Sequence, residues 1–356
     1  MKKTRTVKRA TATIGLDLGD RFGHYCVLDG DGEIVCEKRV RMTRQAVTEV
    51  FTEYRGARIA IETGTHALWI SELLCSLGLE VIVANAREVS AISGSDRKKD
   101  RHDAFKLAMY ARADVRILRP VKLRASEVQA DLVLIRARAA LVESRTQLVN
   151  TARGLVKGFG YRLPDCTTTA FSNKALPQLP AVLQDQLIPL LAVIDTVNLE
   201  IQSYDRAIEL MARQRYPETG FLQQVNGVGP LTALTFVLTV GDPERFASSR
   251  DVGCYVGLRP RHSQSGEYDP ELGITKAGDT YLRKLLVQCS HHVLGQWGQD
   301  SALKRWGLKL VQKGGKNAKK RAVVAVARKL SVLLHKLWST KAIYQPFFGM
   351  SEPVTA

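Results

Sequence analysis

The sequence lacks paired cysteines. Its six cysteines lie far apart, and none belongs to a Cys-x-x-Cys pair. Zinc ribbons and disulfide frameworks both depend on closely spaced or regularly paired cysteines, so neither is expected here. The pattern favours a protein of a reducing, cytoplasmic compartment.

Long apolar runs are missing as well. No uninterrupted apolar stretch approaches the roughly 20 residues that are needed to cross a bilayer. The basic segment MKKTRTVKR leads into a strand-like stretch and not into the apolar core of a signal peptide. We therefore expect neither a membrane span nor a secretory signal.

Acidic residues are absent from Ser301 to Met350, where twelve residues are Lys or Arg. Apolar residues alternate with these cations in KKRAVVAVARKLSVLLHKLW, which predicts helices with one basic and one packed face. The whole chain has 52 Lys and Arg against 35 Asp and Glu, a net charge of +17 and a pI near 9.7. A clustered excess of this size favours a polyanionic partner such as DNA or RNA over a merely solvated surface.

Strand and helix signals alternate in the first hundred residues. The stretches ATIGLD, ARIAIET and LEVIVAN are rich in β-formers, and HYCVLD and EIVCEKRV flank GDG, a turn typical of a hairpin. A helical stretch around Ala67–Leu77 separates the last two of these strands. We expect a mixed sheet with helices on its faces, an α/β domain.

The middle of the chain has a different period. Apolar residues recur at spacings of three and four from Val128 to Val149 and again from Leu190 to Met211. A Pro- and Thr-rich break between Pro164 and Pro180 separates the two runs. The pattern predicts an antiparallel helical hairpin or a coiled coil used for dimerisation, with two ordinary core helices as the alternative.

A short helix, a glycine turn and a proline-led helix follow in LQQVNGVGPLTALTFVLTVGD. This is the pattern of a helix-hairpin-helix, in which the turn around Gly227 and Gly229 holds a nucleic-acid phosphate. A plain turn between two helices would look the same in sequence. The organisation predicted overall is an α/β domain over 1–118, a helical hairpin or coiled-coil region over 119–216, a mainly α C-terminal domain over 217–345, and a tail over 346–356.

Four carboxylates lie where this fold would gather them. Asp17 ends the first strand, Glu62 ends the fourth, and Asp100 and Asp103 lie one turn apart at the start of a helix. Any one of them is most simply a helix cap or a surface charge. As a set in one cleft they would repel each other unless a hard cation, Mg²⁺ or Mn²⁺, neutralised them. Two such ions can clamp a scissile phosphate.

A rival interpretation of IGLDLGD is nucleotide binding, since sugar kinases and actin-like ATPases begin with a similar strand. Their loop continues with Gly or Thr residues that wrap phosphate, whereas this one continues DRFGHY. Their second phosphate loop and Gly-rich adenosine motif are also missing. Metal chemistry is the better hypothesis.

Taken together, GLDLGD, IET and KKDRHDA, followed by VNGVGPLTA and GLRPRHSQSG…GITKAGDTYLRKLL, resemble the Piv/MooV-type DNA invertases and their insertion-sequence transposase relatives. The resemblance extends over about residues 12–340, with the motifs in the family's order. It implies a RuvC-like N-terminal domain of the RNase H fold whose D-E-D-D metal ligands are Asp17, Glu62, Asp100 and Asp103.

The resemblance also implies a catalytic serine in the C-terminal domain. The family's Ser-Gly motif falls on Ser265 and Gly266, and Ser263 in the same loop is the fallback. Attack by this serine would give a covalent phosphoserine–DNA intermediate, and the serine would reach the metal cleft, in one arrangement from another subunit. Insertion-sequence members also imply a structured guide (bridge) RNA that pairs with donor and target DNA.

Basic residues flank the serine loop and are candidate phosphate ligands: Arg259, Arg261, Lys276 and Arg283. Asp20 departs from the family pattern, which often has Lys at that position. We expect its side chain to face solvent, with a metal contact as the alternative.

The leading hypothesis is an insertion-sequence DNA recombinase, a cytoplasmic, nucleoid-associated homodimer or homotetramer. One alternative is a structure-specific nuclease that uses metal-activated water and forms no covalent intermediate. A site-specific invertase and a nucleic-acid-binding protein with a vestigial site are the others.

Overall fold

The computed structural model describes residues 12–85, 100–261 and 272–347 of the chain, apart from the side chains of residues 100 and 101. The chain divides into two compact units, Met1–Ser126 and Glu127–Ala356. Residues 119–126, beyond the predicted boundary at 118, belong to the first unit. The Val121 amide in this segment donates to the Val83 carbonyl. Leu123 also packs on the core of the first unit. A further division of the second unit at residue 216 stays a prediction.

The first unit contains a five-stranded mixed sheet in the order β3-β2-β1-β4-β5. Strands β1, β2 and β3 form an antiparallel meander, and β4 and β5 lie parallel to β1. This confirms the mixed α/β sheet expected from sequence. The strands are β1 (Thr13–Asp17), β2 (Phe22–Leu28), β3 (Ile34–Arg41), β4 (Arg58–Glu62) and β5 (Glu80–Ala84).

Side-chain size differs between the two faces of this sheet. Because successive residues of a strand point to opposite faces, the large residues Ile14, Leu16, Ile59 and Ile61 share one face. They pack in one core with helices α1 (Arg44–Phe51) and α2 (Ala67–Ser76). On the opposite face the central strands β1 and β4 carry the small residues Gly15 and Ala60. Helix α3 (Asp100–Ala113) covers this face.

Gly15 allows α3 to lie directly on the sheet. A Cβ atom at this position would be 2.0 Å from the Ala104 carbonyl oxygen and 2.5 Å from the Ala108 nitrogen, so no other residue fits. At the other end of the helix, Arg58 at the start of β4 donates to the Ala111 carbonyl at 3.2 Å. The helix therefore runs antiparallel to β1 and β4, and its N-terminus lies at their carboxyl ends.

The second unit is helical throughout its described residues, apart from short turns and the isolated bridge between Pro260 and Ile274. Its helices are α4 (Ser126–Lys157), α5 (Phe171–Ala175), α6 (Ala181–Gln214), α7 (Thr219–Gln223), α8 (Pro230–Val240), α9 (Ser249–Tyr255), α10 (Thr280–Leu294), α11 (Ala302–Gln312) and α12 (Ala318–Thr340).

The two long helices α4 and α6 run antiparallel. Arg138 on α4 pairs with Asp205 on α6 at 2.5 Å, and Arg145, two turns further along, donates to Asn198 at 2.9 Å. As the residue number rises by seven on one helix, it falls by seven on the other. Whether the pair is a coiled coil used in assembly stays a prediction.

Helix α8 is the centre of the C-terminal part and is buried from Thr232 to Val240. It packs in one core with α10 and α12, where the Phe236 and Trp338 rings meet edge to face at 6.5 Å. A helix that is apolar all round belongs in a core.

Helix α6 is long and apolar enough to cross a membrane by length and composition, with a hydropathy of 1.3 over an 18-residue window. It alone passes this test among the residues that the structure describes. One such helix is weak evidence, because a core helix passes the same test. Here Leu183, Leu187 and Leu191 pack in a core with residues of α4 and α5.

Candidate active site and nucleic-acid interface

Asp17 and Glu62 are the last residues of neighbouring parallel strands. The register pairs Leu16 of β1 with Ile61 of β4, so Asp17 and Glu62 occupy the next adjacent positions. By alternation both carboxylates lie on the face of Gly15 and Ala60, which is the face that α3 covers. The sheet therefore brings together two of the four acids named from sequence.

Helix α3 supplies the third acid. Asp103 is one residue from Ala104, whose carbonyl lies directly over Gly15, so it is held near the carboxyl ends of β1 and β4. Burial raises the pKa of Glu62, and the negative charges of Asp17 and then of Asp103 raise it further. Like charges close together disfavour ionisation, so this pKa reflects three half-buried carboxylates in one electrostatic field.

The donor chemistry of this acid cluster fits a hard divalent cation. Carboxylate oxygens are the ligands that Mg²⁺ and Mn²⁺ prefer, and a cation would relieve the repulsion that raises the pKa of Glu62. Within the described residues, no group of three or more His, Cys, Asp or Glu side chains has the geometry of a metal site. Asp100 begins α3, but its side chain lies outside the described residues.

Asp20, three residues after Asp17, faces solvent. Its side chain is 95% exposed, and its carboxylate lies 3.9 Å from the His66 Nε2. Trp69 donates its indole N–H to the His66 Nδ1 at 2.9 Å and fixes that nitrogen as an acceptor. Asp20 is therefore exposed, in line with the expectation from sequence, and its metal contact has no support in the geometry.

The residues that flank the serine loop form a short antiparallel stem in the second unit. The Thr275 amide donates to the Arg259 carbonyl at 2.9 Å, and the Arg261 amide donates to the Gly273 carbonyl at 3.0 Å. At the base of the stem Gly257 has φ +72°, and a Cβ there would lie 2.1 Å from the Ala277 carbonyl oxygen. Ser263, Ser265 and Gly266 lie outside the described residues.

Two family profiles match the chain. One, for DEDD transposases of the IS110 type and described as "Transposase", matches residues 14–160. The other, described as "Transposase IS116/IS110/IS902 family", matches residues 220–306. The first range contains all four acids of the predicted cluster, and the second contains the serine loop and its stem.

Two curated relatives match over nearly their whole length. The chain is 29% identical to the "Transposase for insertion sequence element IS1111A" of Coxiella burnetii, over 97% of this chain and 94% of the relative. It is 30% identical to the "Probable family 20 transposase" of Pseudomonas aeruginosa, over 94% of this chain and 98% of the relative. The chain belongs to the IS110/IS116 family of insertion-sequence transposases.

The transposase is also similar to a gene-inverting protein. It is 31% identical over 110 residues to the "Pilin gene-inverting protein" of Moraxella lacunata. These residues make up 31% of this chain and 33% of that relative. The predicted resemblance to both transposases and invertases is therefore confirmed.

Three of the four basic residues around the serine loop are exposed in the transposase, namely Arg259, Arg261 and Lys276. Arg283 is different, because it is only 9% exposed. Its guanidinium donates to the Val256 and Ala277 carbonyls at 3.1 and 2.7 Å and to the Thr280 hydroxyl at 3.2 Å. Arg283 therefore ties α10 to the base of the serine-loop stem, and its role as a phosphate ligand stays a prediction.

The glycine turn predicted to bind phosphate joins α7 to α8. Gly227 has φ +90°, and a Cβ there would be 2.7 Å from the His292 ring. Gly229 is exposed and precedes Pro230, the first residue of α8. The arrangement of helix, turn and helix is present, while phosphate binding by Gly227 and Gly229 stays a prediction.

Sequence reasoning did not assign a role to Gly15, which positions Asp103. A usable signal was present, because two-residue alternation places Gly15 and Asp17 on the same face of β1. Sequence reasoning also missed the burial of Arg283. Ser290, seven residues further along α10, is buried too, so this stripe of the helix faces the core.

Proposed function

We propose that this transposase cuts and rejoins DNA through a serine nucleophile assisted by divalent metal. The observation that carries the proposal is the convergence of Asp17, Glu62 and Asp103 at one edge of the sheet. Burial raises the pKa of Glu62, and the charges of Asp17 and Asp103 raise it further. The matched family profile over residues 220–306 contains Ser265 and supports the second half of the proposal.

In the proposed reaction Asp17, Glu62, Asp100 and Asp103 hold Mg²⁺ or Mn²⁺. The bound cation supplies Lewis-acid stabilisation of charge on the phosphate. Ser265 Oγ attacks the phosphorus, a P–O bond to one deoxyribose oxygen breaks, and the serine proton leaves to solvent or base. Attack by a new DNA hydroxyl then releases the serine, so the energy of the phosphodiester bond is retained.

Exposed cations around the serine loop support DNA binding in this proposal. Arg259, Arg261 and Lys276 are candidates for contacts with phosphate oxygens. Binding that neutralises several phosphates weakens steeply with salt, so a flat salt response would contradict the electrostatic part of the proposal.

The test is a search for a denaturation-resistant protein–DNA adduct. The wild-type chain with Mg²⁺ and substrate DNA is expected to form it, and Ser265→Ala is expected to abolish it while binding of DNA persists. Ser263→Ala is the matched control and should retain the adduct. Adducts in Ser265→Ala would overturn the serine assignment, and cleavage without any adduct would favour the metal-dependent nuclease.

Guidance by an element-encoded RNA is the further part of the proposal. The net charge of +17 supports binding of more than one nucleic acid. RNA that co-purifies with the chain should have one dominant sequence, and recombination of paired plasmids should require it. Recombination that survives complete removal of RNA would contradict this part alone.

Assembly into a dimer or tetramer is proposed through the apolar surface of α6. Val182, Val193, Leu199 and Leu210 are 66, 49, 65 and 55% exposed on this helix. Their exposure makes α6 the candidate interaction surface of this proposal. Light scattering should show an oligomer that Leu199→Glu weakens, whereas a monomeric wild type would contradict the proposal.

Inversion is the second candidate outcome, favoured by the similarity to the Pilin gene-inverting protein. A plasmid that carries the element's ends in both orientations distinguishes the two outcomes. Insertion at a new site indicates transposition, and reversal of the enclosed segment indicates inversion.

A further inference from the structure

A groove of about 930 Å³ lies beside the stem of the serine loop. One wall is formed by residues of the stem, including Pro260 and Ile274, which bridge to each other. The opposite wall is formed by helix α12, and Trp306 of α11 contributes to the lining. The volume is at the upper end of the range of ordinary ligand pockets, about 300–1,000 Å³.

Helix α12 has two apolar stripes that differ in burial. Residues such as Val326, Leu330 and Leu334 are buried in the core. The groove is lined by a different stripe of the same helix, in which Val324 and Val332 are only half-buried. Among the described residues this second stripe is only partly covered, although Val324 also packs against the core.

Cations surround this apolar floor. The basic lining residues are all exposed: Arg250, Lys320, Arg321, Arg328 and Lys329. Among the described residues that line the groove, none carries a carboxylate. The Lys329 ammonium lies 4.5 Å from the centre of the Trp306 ring, which places positive charge directly beside an aromatic surface.

An apolar floor with a cationic rim matches unpaired nucleotides better than a duplex. A duplex presents phosphates outside and keeps its base faces stacked within, so it offers nothing apolar to a groove floor. Unstacked bases pack their faces on apolar and aromatic side chains while their phosphates pair with Lys and Arg.

We propose that this groove binds an unpaired segment of the DNA strand on which the serine loop acts. The inference rests on the proposed function, which makes DNA the polymer at Ser265. It goes further by assigning a single-stranded DNA site to the groove beside the stem of that loop. The groove would keep the nucleotides next to the reacting phosphodiester unstacked during strand exchange.

Binding of fluorescently labelled DNA tests the proposal, with Ser265→Ala as the parent chain so that no covalent chemistry contributes. The ligands are a short single-stranded DNA, the matching duplex and a single-stranded RNA of the same sequence. The part of the affinity that the groove contributes is expected to be larger for single-stranded DNA than for the duplex or the RNA. Variants of the groove rim that lose as much affinity for the duplex or the RNA as for single-stranded DNA would overturn the assignment.

Two pairs of variants locate the site. Lys320→Ala/Arg321→Ala removes two charges from the rim, and Lys316→Ala/Lys319→Ala removes the same charge from neighbouring positions that do not line the groove. The first pair is expected to raise the Kd for single-stranded DNA by about tenfold and the second far less. Equal rises in Kd for the two pairs would show that only overall positive charge matters, and this would overturn the proposal.

The apolar floor is tested without a change of charge. Val324→Asn makes the floor polar, and Leu308→Asn makes the same kind of change on α11 at a residue that does not line the groove. Val324→Asn is expected to weaken binding of single-stranded DNA several-fold and leave duplex binding unchanged, and Leu308→Asn should do neither. Thermal unfolding confirms that both variants fold.

A photocrosslink gives a readout that does not depend on substitution. Single-stranded DNA with 5-iodouracil is expected to crosslink to Trp306, identified by mass spectrometry of the digested protein. Crosslinks confined to residues away from the groove would contradict the proposal. Failure of the proposed function is separate, since it would appear as loss of serine adducts in the wild type while this binding is retained.

Discussion

The two units of the chain use charge in opposite ways. In the sheet unit, the half-buried carboxylates of Asp17, Glu62 and Asp103 are crowded at one edge, and the pKa of Glu62 rises. In the helical unit, cations such as Lys320 and Arg328 are spread along the exposed rim of an apolar groove. Crowded charges of one sign call for a small counter-ion, whereas spaced charges suit a polymer of opposite charge.

The largest expected effect concerns the acid cluster. Asp17→Asn should reduce recombination by about 10³-fold, because loss of a metal ligand removes several kcal/mol of transition-state stabilisation. The measurement is the yield of recombined plasmid with Mg²⁺ present. Asp20→Asn is the matched control and should change the yield little, since its side chain is 95% exposed. Equal losses of yield in Asp17→Asn and Asp20→Asn would contradict a special role for the acid cluster.

Arg283 tests whether a cation beside the serine loop has a structural role. Arg283→Ala should lower the free energy of unfolding by about 2–4 kcal/mol, because it leaves the Val256 and Ala277 carbonyls without this donor. Urea denaturation measures it. The exposed Arg261→Ala should change stability by less than about 0.5 kcal/mol and instead reduce the salt dependence of DNA binding. A large loss of stability in Arg261→Ala, with a change only in DNA binding in Arg283→Ala, would instead favour Arg283 as a phosphate ligand.

Gly15 tests how the acid cluster is assembled. Gly15→Ala should lower the free energy of unfolding by about 1–3 kcal/mol, because the new methyl group would overlap the Ala104 carbonyl and displace α3. Recombination should fall too, although no carboxylate has changed. The control is Gly64→Ala, since a Cβ at Gly64 meets nothing within 4 Å. Full activity in Gly15→Ala would show that the position of α3 is unimportant.

The smallest effect is electrostatic and depends on pH. The pKa of Glu62 is raised in the folded state, first by burial and then by Asp17 and Asp103. The folded chain therefore binds this proton more tightly than the unfolded chain, and stability falls as pH rises through the ordinary and the raised pKa. Without divalent cations at neutral pH, Glu62→Gln should unfold at a higher temperature than the wild type.

Thermal unfolding in a chelator, from about pH 4 to about pH 8, measures this difference. It should shrink at the acid end, where Glu62 is protonated in both states. The control Glu49→Gln, an exposed residue of α1, should show no such trend. If the wild type were more stable than Glu62→Gln at neutral pH, net destabilisation of the charged Glu62 by burial and by Asp17 and Asp103 would be contradicted.

Local patterns were sufficient to predict the sheet and to name the candidate acids. Alternation and glycine turns predicted the mixed sheet, and the strand ends predicted Asp17 and Glu62 as neighbours, because parallel strands end at one edge. Asp103 could be named from the resemblance and from its place at a helix start. The contact that holds it there, Gly15 against Ala104, joins residues 89 positions apart and leaves no periodic signal.

The sequence by itself determined the family through the order of its motifs, the mixed sheet and the basic C-terminal segment. It also named four candidate acids, of which the structure brings Asp17, Glu62 and Asp103 together. These properties depend on residue type and short-range spacing. Tertiary structure decided that Arg283 is a buried link and that α12 keeps a second, partly covered stripe beside the serine-loop stem. The physical reason is that burial of a side chain depends on which distant segment packs over it, and identical basic residues acquire different roles from that packing alone.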